Sequence, residues 1–159
     1  MIYDNTGRRK YLTINEREAF IGAAHSLRPE AETFCLALVY TGARISEILA
    51  LTPEHIDTGA GIIIIESLKK RRRGVFRAVP VPTHFLARLE AVHGLHDAQS
   101  DLGRRTERLW PWGRTTAWTQ VKQVMRMIGV GPSQSMPKAL RHAFGVGATQ
   151  KTVPLDVSP

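Results

Sequence analysis

The sequence predicts a mainly helical α+β domain with a small antiparallel sheet. Three observations carry that expectation. Apolar residues recur at helical spacing over both ends of the chain. A β-branched run, Ile62 to Ile65, and a second extended run over 75–81 stand close together, joined by a basic stretch that reads as a long hairpin. Strands and helices do not alternate, so a doubly wound parallel sheet is disfavoured.

In chain order, residues 1–11 are polar and basic and read as a loose arm. Thr13-Ile14-Asn15-Glu16 has the spacing of a capping box and opens a helix over 14–27, with Phe20, Ala23, Ala24 and Leu27 on one face. Arg28-Pro29 interrupts it. A second helix over 30–41 is apolar on most sides and belongs at the centre of the core. Gly42 can take positive φ and end it. A third follows over 44–50, with Ile45, Ile48 and Leu49 inward. Residues 52–57 and 57–61 have turn chemistry. The two strands come next, joined by Lys69 to Gly74. Pro82-Thr83 starts a helix carrying Phe85, Leu86, Leu89 and Val92. Residues 94–108, rich in Gly, His and Arg, read as a loop. Thr115 or Thr116 caps a helix to about Gly129, with Trp118, Val121, Val124, Met125 and Ile128 inward. After a loop, Pro137 fits the first turn of a helix over 137–148. Trp110, Trp112 and Trp118 are expected in packing, and His84, His93 and His96 at the surface or in loops. Arg104, Arg105 and Arg108 are open to nucleic-acid backbone or to solvent.

Composition narrows the function classes. The chain has 159 residues, 43% hydrophobic and 23% charged, which fits one soluble domain. Its 22 Lys+Arg against 14 Asp+Glu give +8, a balance that favours a polyanionic partner. Cys35 is the one cysteine, so no internal disulfide forms, and its apolar neighbours suggest a buried thiol in a reducing compartment. No Cys/His spacing suggests a metal. No apolar stretch reaches the ~18 residues of a membrane span, and Met1-Ile2-Tyr3-Asp4-Asn5 has no signal-peptide pattern. On composition alone the expectation is a cytoplasmic protein with no metal site and no membrane span.

Three segments carry candidate chemistry. Arg44 sits at the junction of two buried helices, with Glu47 three residues on along the same face. Two readings stand: an Arg44–Glu47 ion pair closing a helix corner, or a guanidinium held ready for a phosphate. Lys69, Lys70, Arg71, Arg72, Arg73 and Arg77 put six cations within nine residues, which extends a loop and favours a polyanion. Lys138 and Arg141 share one helical face and repel unless an anion lies between them.

Tyr40-Thr41-Gly42-Ala43-Arg44-Ile45-Ser46-Glu47-Ile48-Leu49-Ala50-Leu51 resembles the first arginine box of the tyrosine recombinases, the phage integrase family. Leu68-Lys69-Lys70 to Val79-Pro80 resembles that family's hairpin lysine region. Met136-Pro137-Lys138-Ala139-Leu140-Arg141-His142-Ala143-Phe144 resembles its second arginine box. The order is the family's, and the resemblance covers about residues 12–155. It implies an integrase-like, DNA breaking-rejoining catalytic domain over 12–159. It also implies a catalytic set of Arg44, Lys69, Lys138 and Arg141, with Lys70 as the alternative hairpin lysine. Lys138 stands where the family usually has histidine. Glu47 and His142 become supporting residues, and Lys70, Arg71, Arg72, Arg73 and Arg77 DNA contacts.

The activity implied by the resemblance is site-specific cutting and rejoining of double-stranded DNA through a 3′-phosphotyrosyl intermediate, in a nucleoid-associated protein, with further protomers on a synaptic complex and with no cofactor or small-molecule substrate. In the family the attacking tyrosine follows the second box. The three tyrosines here, Tyr3, Tyr11 and Tyr40, all precede it. The domain is therefore expected to be C-terminally incomplete. A cleavage-incompetent DNA-binding module is the alternative; a helical protein with internally paired arginines is the reading without DNA.

Overall fold

The computed structural model describes residues 13–68, 74–129 and 153–155 of the protein. Its helices are α1 (Ile14–Ala24), α2 (Pro29–Thr41), α3 (Ile45–Leu49), α4 (Thr83–His93), α5 (Leu95–Gln99) and α6 (Arg114–Met127). Its strands are β1 (Ile56–Asp57), β2 (Ile62–Glu66), β3 (Phe76–Pro80) and β4 (Val153–Leu155). They form one antiparallel sheet in the order β1-β2-β3-β4. The mainly helical α+β class with a small antiparallel sheet is what the periodicities predict. The arm at 1–11 and the helix at 137–148 lie outside the described residues.

The helix α2 is the axis of the domain. Residues 31–39 are all buried, and α1, α3, α4 and α6 pack around it. The capping box predicted for α1 is present: Glu16 N–H donates to Thr13 Oγ1 (3.1 Å) and Thr13 N–H to Glu16 Oε1 (2.8 Å). Cys35 is fully buried, and burial pushes its thiol up to about 12. One face of α2 buries a charge. Glu32, 4% exposed, accepts Arg88 Nε from α4 (2.7 Å) and lies 2.6 Å from His25 Nδ1. A buried carboxylate is tolerated only with such partners.

Trp110 closes the core from the loop before α6. It is 1% exposed and meets Phe34 edge-on at 5.4 Å. Its Nε1–H donates to Glu30 O (2.9 Å), so a large apolar body is buried without an orphaned donor. Beside it, His93 Nε2 lies 2.8 Å from Thr33 Oγ1. His93 is therefore half-buried rather than a surface or loop histidine, whereas His84 and His96 are exposed.

Several local expectations are corrected. Residues 94–108 are not all loop: Gly94, at φ 62, closes α4 and opens α5, which buries Leu95 and Ala98, and a 3-10 turn spans Arg104–Thr106. Five residues are too few to show a helical period. Residues 52–57 contain a 3-10 turn at Pro53–His55 and then β1, whose register against β2 is Ile56↔Ile63 and Asp57↔Ile62. Gln99 on α5 holds this segment by donating to Pro53 O (2.9 Å) and Ile56 O (2.8 Å). That tie joins residues over forty apart in sequence. The helix α1 ends at Ala24, with 3-10-like bonds carrying the chain on to Leu27. Gly113, not Thr115 or Thr116, is the N-cap of α6. β4 is also beyond what local pattern showed.

Burial holds the imidazoles of His93 and His55 below their ordinary range. The folded state thus binds fewer protons than the unfolded chain, in which these rings titrate near 6.5. This contribution is present above that value and is lost as pH falls through it toward the depressed folded values. The melting temperature is expected to fall between about pH 7 and about pH 5, and by less in His93→Gln. An equal fall in that variant would assign the effect to other groups.

Candidate nucleic-acid interface

The site is built on the corner between α2 and α3. Gly42 ends α2 in the left-handed region (φ 67), and its N–H donates to Leu38 O (2.9 Å). Thr41 Oγ1 donates to Ala37 O (2.7 Å) and accepts Ala43 N–H (3.2 Å), so the turn is braced from inside. The chain then runs extended to Arg44 (φ −74, ψ 152), the N-cap of α3. A side chain other than hydrogen at position 42 would meet the backbone strain of positive φ.

Glu47 fixes the corner. It is 3% exposed, and its Oε1 accepts Arg44 N–H (2.9 Å). Arg77 reaches it from β3, with Nη2 3.0 Å from Oε1 and Nη1 3.4 Å from Oε2. Of the two readings of Arg44, the first, a side-chain ion pair with Glu47, is not what this geometry shows. Glu47 takes the Arg44 backbone and the Arg77 fork. The Arg44 guanidinium, partly buried, is bonded to no carboxylate among the described residues.

A groove of about 300 Å³ begins at Ser46, two residues from Arg44. Leu49, Ala50 and Trp112 give it an apolar floor, and Arg108 and Arg114 a cationic rim. Arg108 Nη1 donates to Trp112 O (3.2 Å), and Trp112 leans on Phe34 at 5.4 Å. A larger hollow of about 500 Å³ beside β1 is lined by Glu54, Asp57 and Arg105, and Glu54 pairs with Arg105 Nε at 3.1 Å. Its two carboxylates give it the wrong sign for a polyanion.

Tyr40 is not placed to attack. Its ring packs on Phe85 (5.2 Å), its hydroxyl lies 3.2 Å from exposed His84 Nε2, and burial raises its pKa. A raised phenol pKa makes the nucleophilic phenolate harder to form.

Of the residues read from sequence, the structure brings together Arg44, Glu47 and Arg77. Lys69, Lys70, Arg71, Arg72, Arg73, Lys138, Arg141 and His142 lie outside the described residues. The flanking strands that carry the hairpin are in register, Ile65↔Arg77 and Glu66↔Phe76, and Ser67 N–H donates to Val75 O (2.9 Å). Sequence reasoning missed Arg114 on the groove rim. The available signal was that α6 carries Arg114, Lys122 and Arg126 and no acidic residue.

Comparison with known proteins decides the family. The model of the phage integrase family matches residues 10–157, nearly the whole chain. The chain belongs to the phage integrase family. Tyrosine recombinase XerD of Pseudomonas aeruginosa is 30% identical over 120 residues, covering 70% of this integrase-family chain and 38% of that protein. XerD of Pasteurella multocida is 28% identical over 116 residues, with 69% and 38% covered. The integrase-family chain here thus spans under two fifths of the length of these curated relatives.

Solved structures agree on the fold. The XerA recombinase superposes with TM-score 0.67 at 22% identity, over 88% of this chain and 50% of that one. XerH bound to its difH substrate, a pre-cleavage complex, gives TM-score 0.71 at 17% identity, over 94% and 49%. The family resemblance read from the boxes is therefore correct. Among the described residues no helix of this integrase-family domain is long and apolar enough to cross a membrane.

Proposed function

We propose that residues 12–159 are the phosphodiester-gripping part of a tyrosine recombinase catalytic domain, acting on double-stranded DNA in the cytoplasm. The observation that carries this reading is the Arg44 guanidinium, held at a braced corner without a described carboxylate, while Glu47 beside it is matched by Arg77. Phosphoryl transfer needs fixed donors on the non-bridging oxygens, and two arginine forks suit that need. Arg44 and Arg141 supply them, and Lys138 adds a third cation. Lysine stays protonated at neutral pH unless buried, so Lys138 holds charge rather than acting as a base.

Lys69, or Lys70, delivers a proton to the departing 5′ oxygen. Lys70, Arg71, Arg72 and Arg73 follow the phosphate backbone, and Arg108 and Arg114 extend the path along the groove at Ser46. His142 supports Arg141. In the complete family member a tyrosine beyond the second arginine box forms the 3′-phosphotyrosyl bond, and further protomers assemble on the synapsed DNA.

The test is equilibrium binding to duplex DNA at rising salt, with trapping on a nicked duplex. The logarithm of the affinity should fall linearly with that of salt, with a slope of about −3 or steeper, as expected when several phosphates are neutralised. No salt-dependent duplex binding would overturn the reading. Tyr40→Phe should leave the yield of covalent adduct unchanged; a loss confined to that variant would make Tyr40 the nucleophile.

A further inference from the structure

We propose that Arg77 is a positioning residue for Arg44, acting through Glu47, and that it does not itself touch the nucleic acid. This rests on the reading of Arg44 as a phosphate ligand. The run of six cations at 69–77 suggests that all of them face DNA, but Arg77 is set apart by its strand.

The register Ile65↔Arg77 places it within β3, past the hairpin turn. Its side chain, 25% exposed, turns to α3. Two guanidinium nitrogens meet the two carboxylate oxygens of Glu47 at 3.0 and 3.4 Å, a forked geometry that lysine cannot reproduce. The pairing is specified by the strand period, because a slip of one residue would send Arg77 to the opposite face of the sheet.

The carboxylate it meets is buried and has a second task. Oε1 of Glu47 also accepts the backbone N–H of Arg44, so it sets the angle at which Arg44 leaves the corner. A buried carboxylate three residues from a phosphate ligand would work against the phosphate to the extent that its charge is not balanced. Arg77 contributes to that balance without removing the acceptor. It also ties the corner to β3.

Four forms of the 159-residue chain test this: wild type, Arg77→Ala, Arg77→Lys and the double variant Glu47→Gln/Arg77→Ala. Circular dichroism checks that each is folded. Should Arg77→Ala not fold, Arg77→Lys and the double variant carry the comparison. Without DNA, hydrogen exchange at the Arg44 amide should be about 10-fold faster in Arg77→Ala. Unchanged exchange would overturn the positioning role. This readout stands even if the wild type binds no duplex, the result that would defeat the functional reading instead.

With duplex DNA, Arg77→Ala should bind about 10-fold more weakly, because Arg44 is then less firmly pre-organised for its phosphate. Its salt slope should equal that of wild type. The double variant should recover most of the loss, because a neutral amide still accepts Arg44 N–H. Arg77→Lys should fall between, keeping the charge and losing the fork. A salt slope shallower by about 0.9, the signature of one lost phosphate contact, would overturn the proposal. So would a double variant no better than Arg77→Ala.

Discussion

Arg44→Ala is expected to lower duplex affinity by about 10- to 100-fold while moving the melting temperature little. The binding loss follows from removing a fork of charge-assisted hydrogen bonds, each worth roughly 1.5–3 kcal/mol when it meets a charged partner. Stability should hold because the cap of α3 uses the backbone N–H of residue 44, which alanine keeps. No carboxylate among the described residues is left unpaired by the change. Fluorescence anisotropy with a labelled duplex and a thermal melt on the same preparations separate the two effects. Equal DNA binding would remove Arg44 from the phosphate site. A melting temperature lowered as much as in a core variant would instead make Arg44 structural.

Trp110→Ala should do the opposite. The ring is 1% exposed, meets Phe34 and His93 edge-on at 5.4 and 5.2 Å, and donates Nε1–H to Glu30 O. Emptying such a site costs about 3–5 kcal/mol in transfer and cavity terms, against a total of roughly 5–15 kcal/mol for a domain. For a chain of this size the melting temperature should drop on the order of 10 °C. Trp110→Phe keeps most of the ring contact and loses the hydrogen bond, about 1 kcal/mol. Calorimetry of both variants checks the pair. A drop no larger in the alanine variant than in the phenylalanine one would mean the site collapses to fill the space.

Arg44 and Trp110 differ in how far local sequence reveals their setting. Arg44 stood out because Gly42, the apolar run before it and the Ile45, Ile48, Leu49 face after it are all local signals. They mark a helix end, a junction and a helix start within ten residues. Trp110 gave no such signal. Its packing was expected, but its donor to Glu30 spans eighty residues, and no spacing rule reaches that far. The same limit hid the His93–Thr33 contact and the burial of Glu32 beneath Arg88 and His25. α5 and β1 were missed for a different reason: five- and two-residue elements are shorter than the periods that would reveal them. They are held by tertiary bonds such as those from Gln99.

What the amino-acid order determined alone was the inventory. It settled that α1, α2, α3, α4 and α6 are helical and that β2 and β3 pair, that α2 is buried along most of its length, that the sheet is antiparallel, and to which family the chain belongs. These follow from hydrophobic period, turn chemistry and motif order, all read within a few neighbouring residues. What only tertiary structure decided was how charges pair. Glu47 is three residues from Arg44 and thirty from Arg77, yet its carboxylate takes the fork of Arg77 and only the backbone N–H of Arg44. A buried carboxylate binds the cation whose approach desolvates both with good geometry, and that approach is set by the register of β2 and β3 against α3.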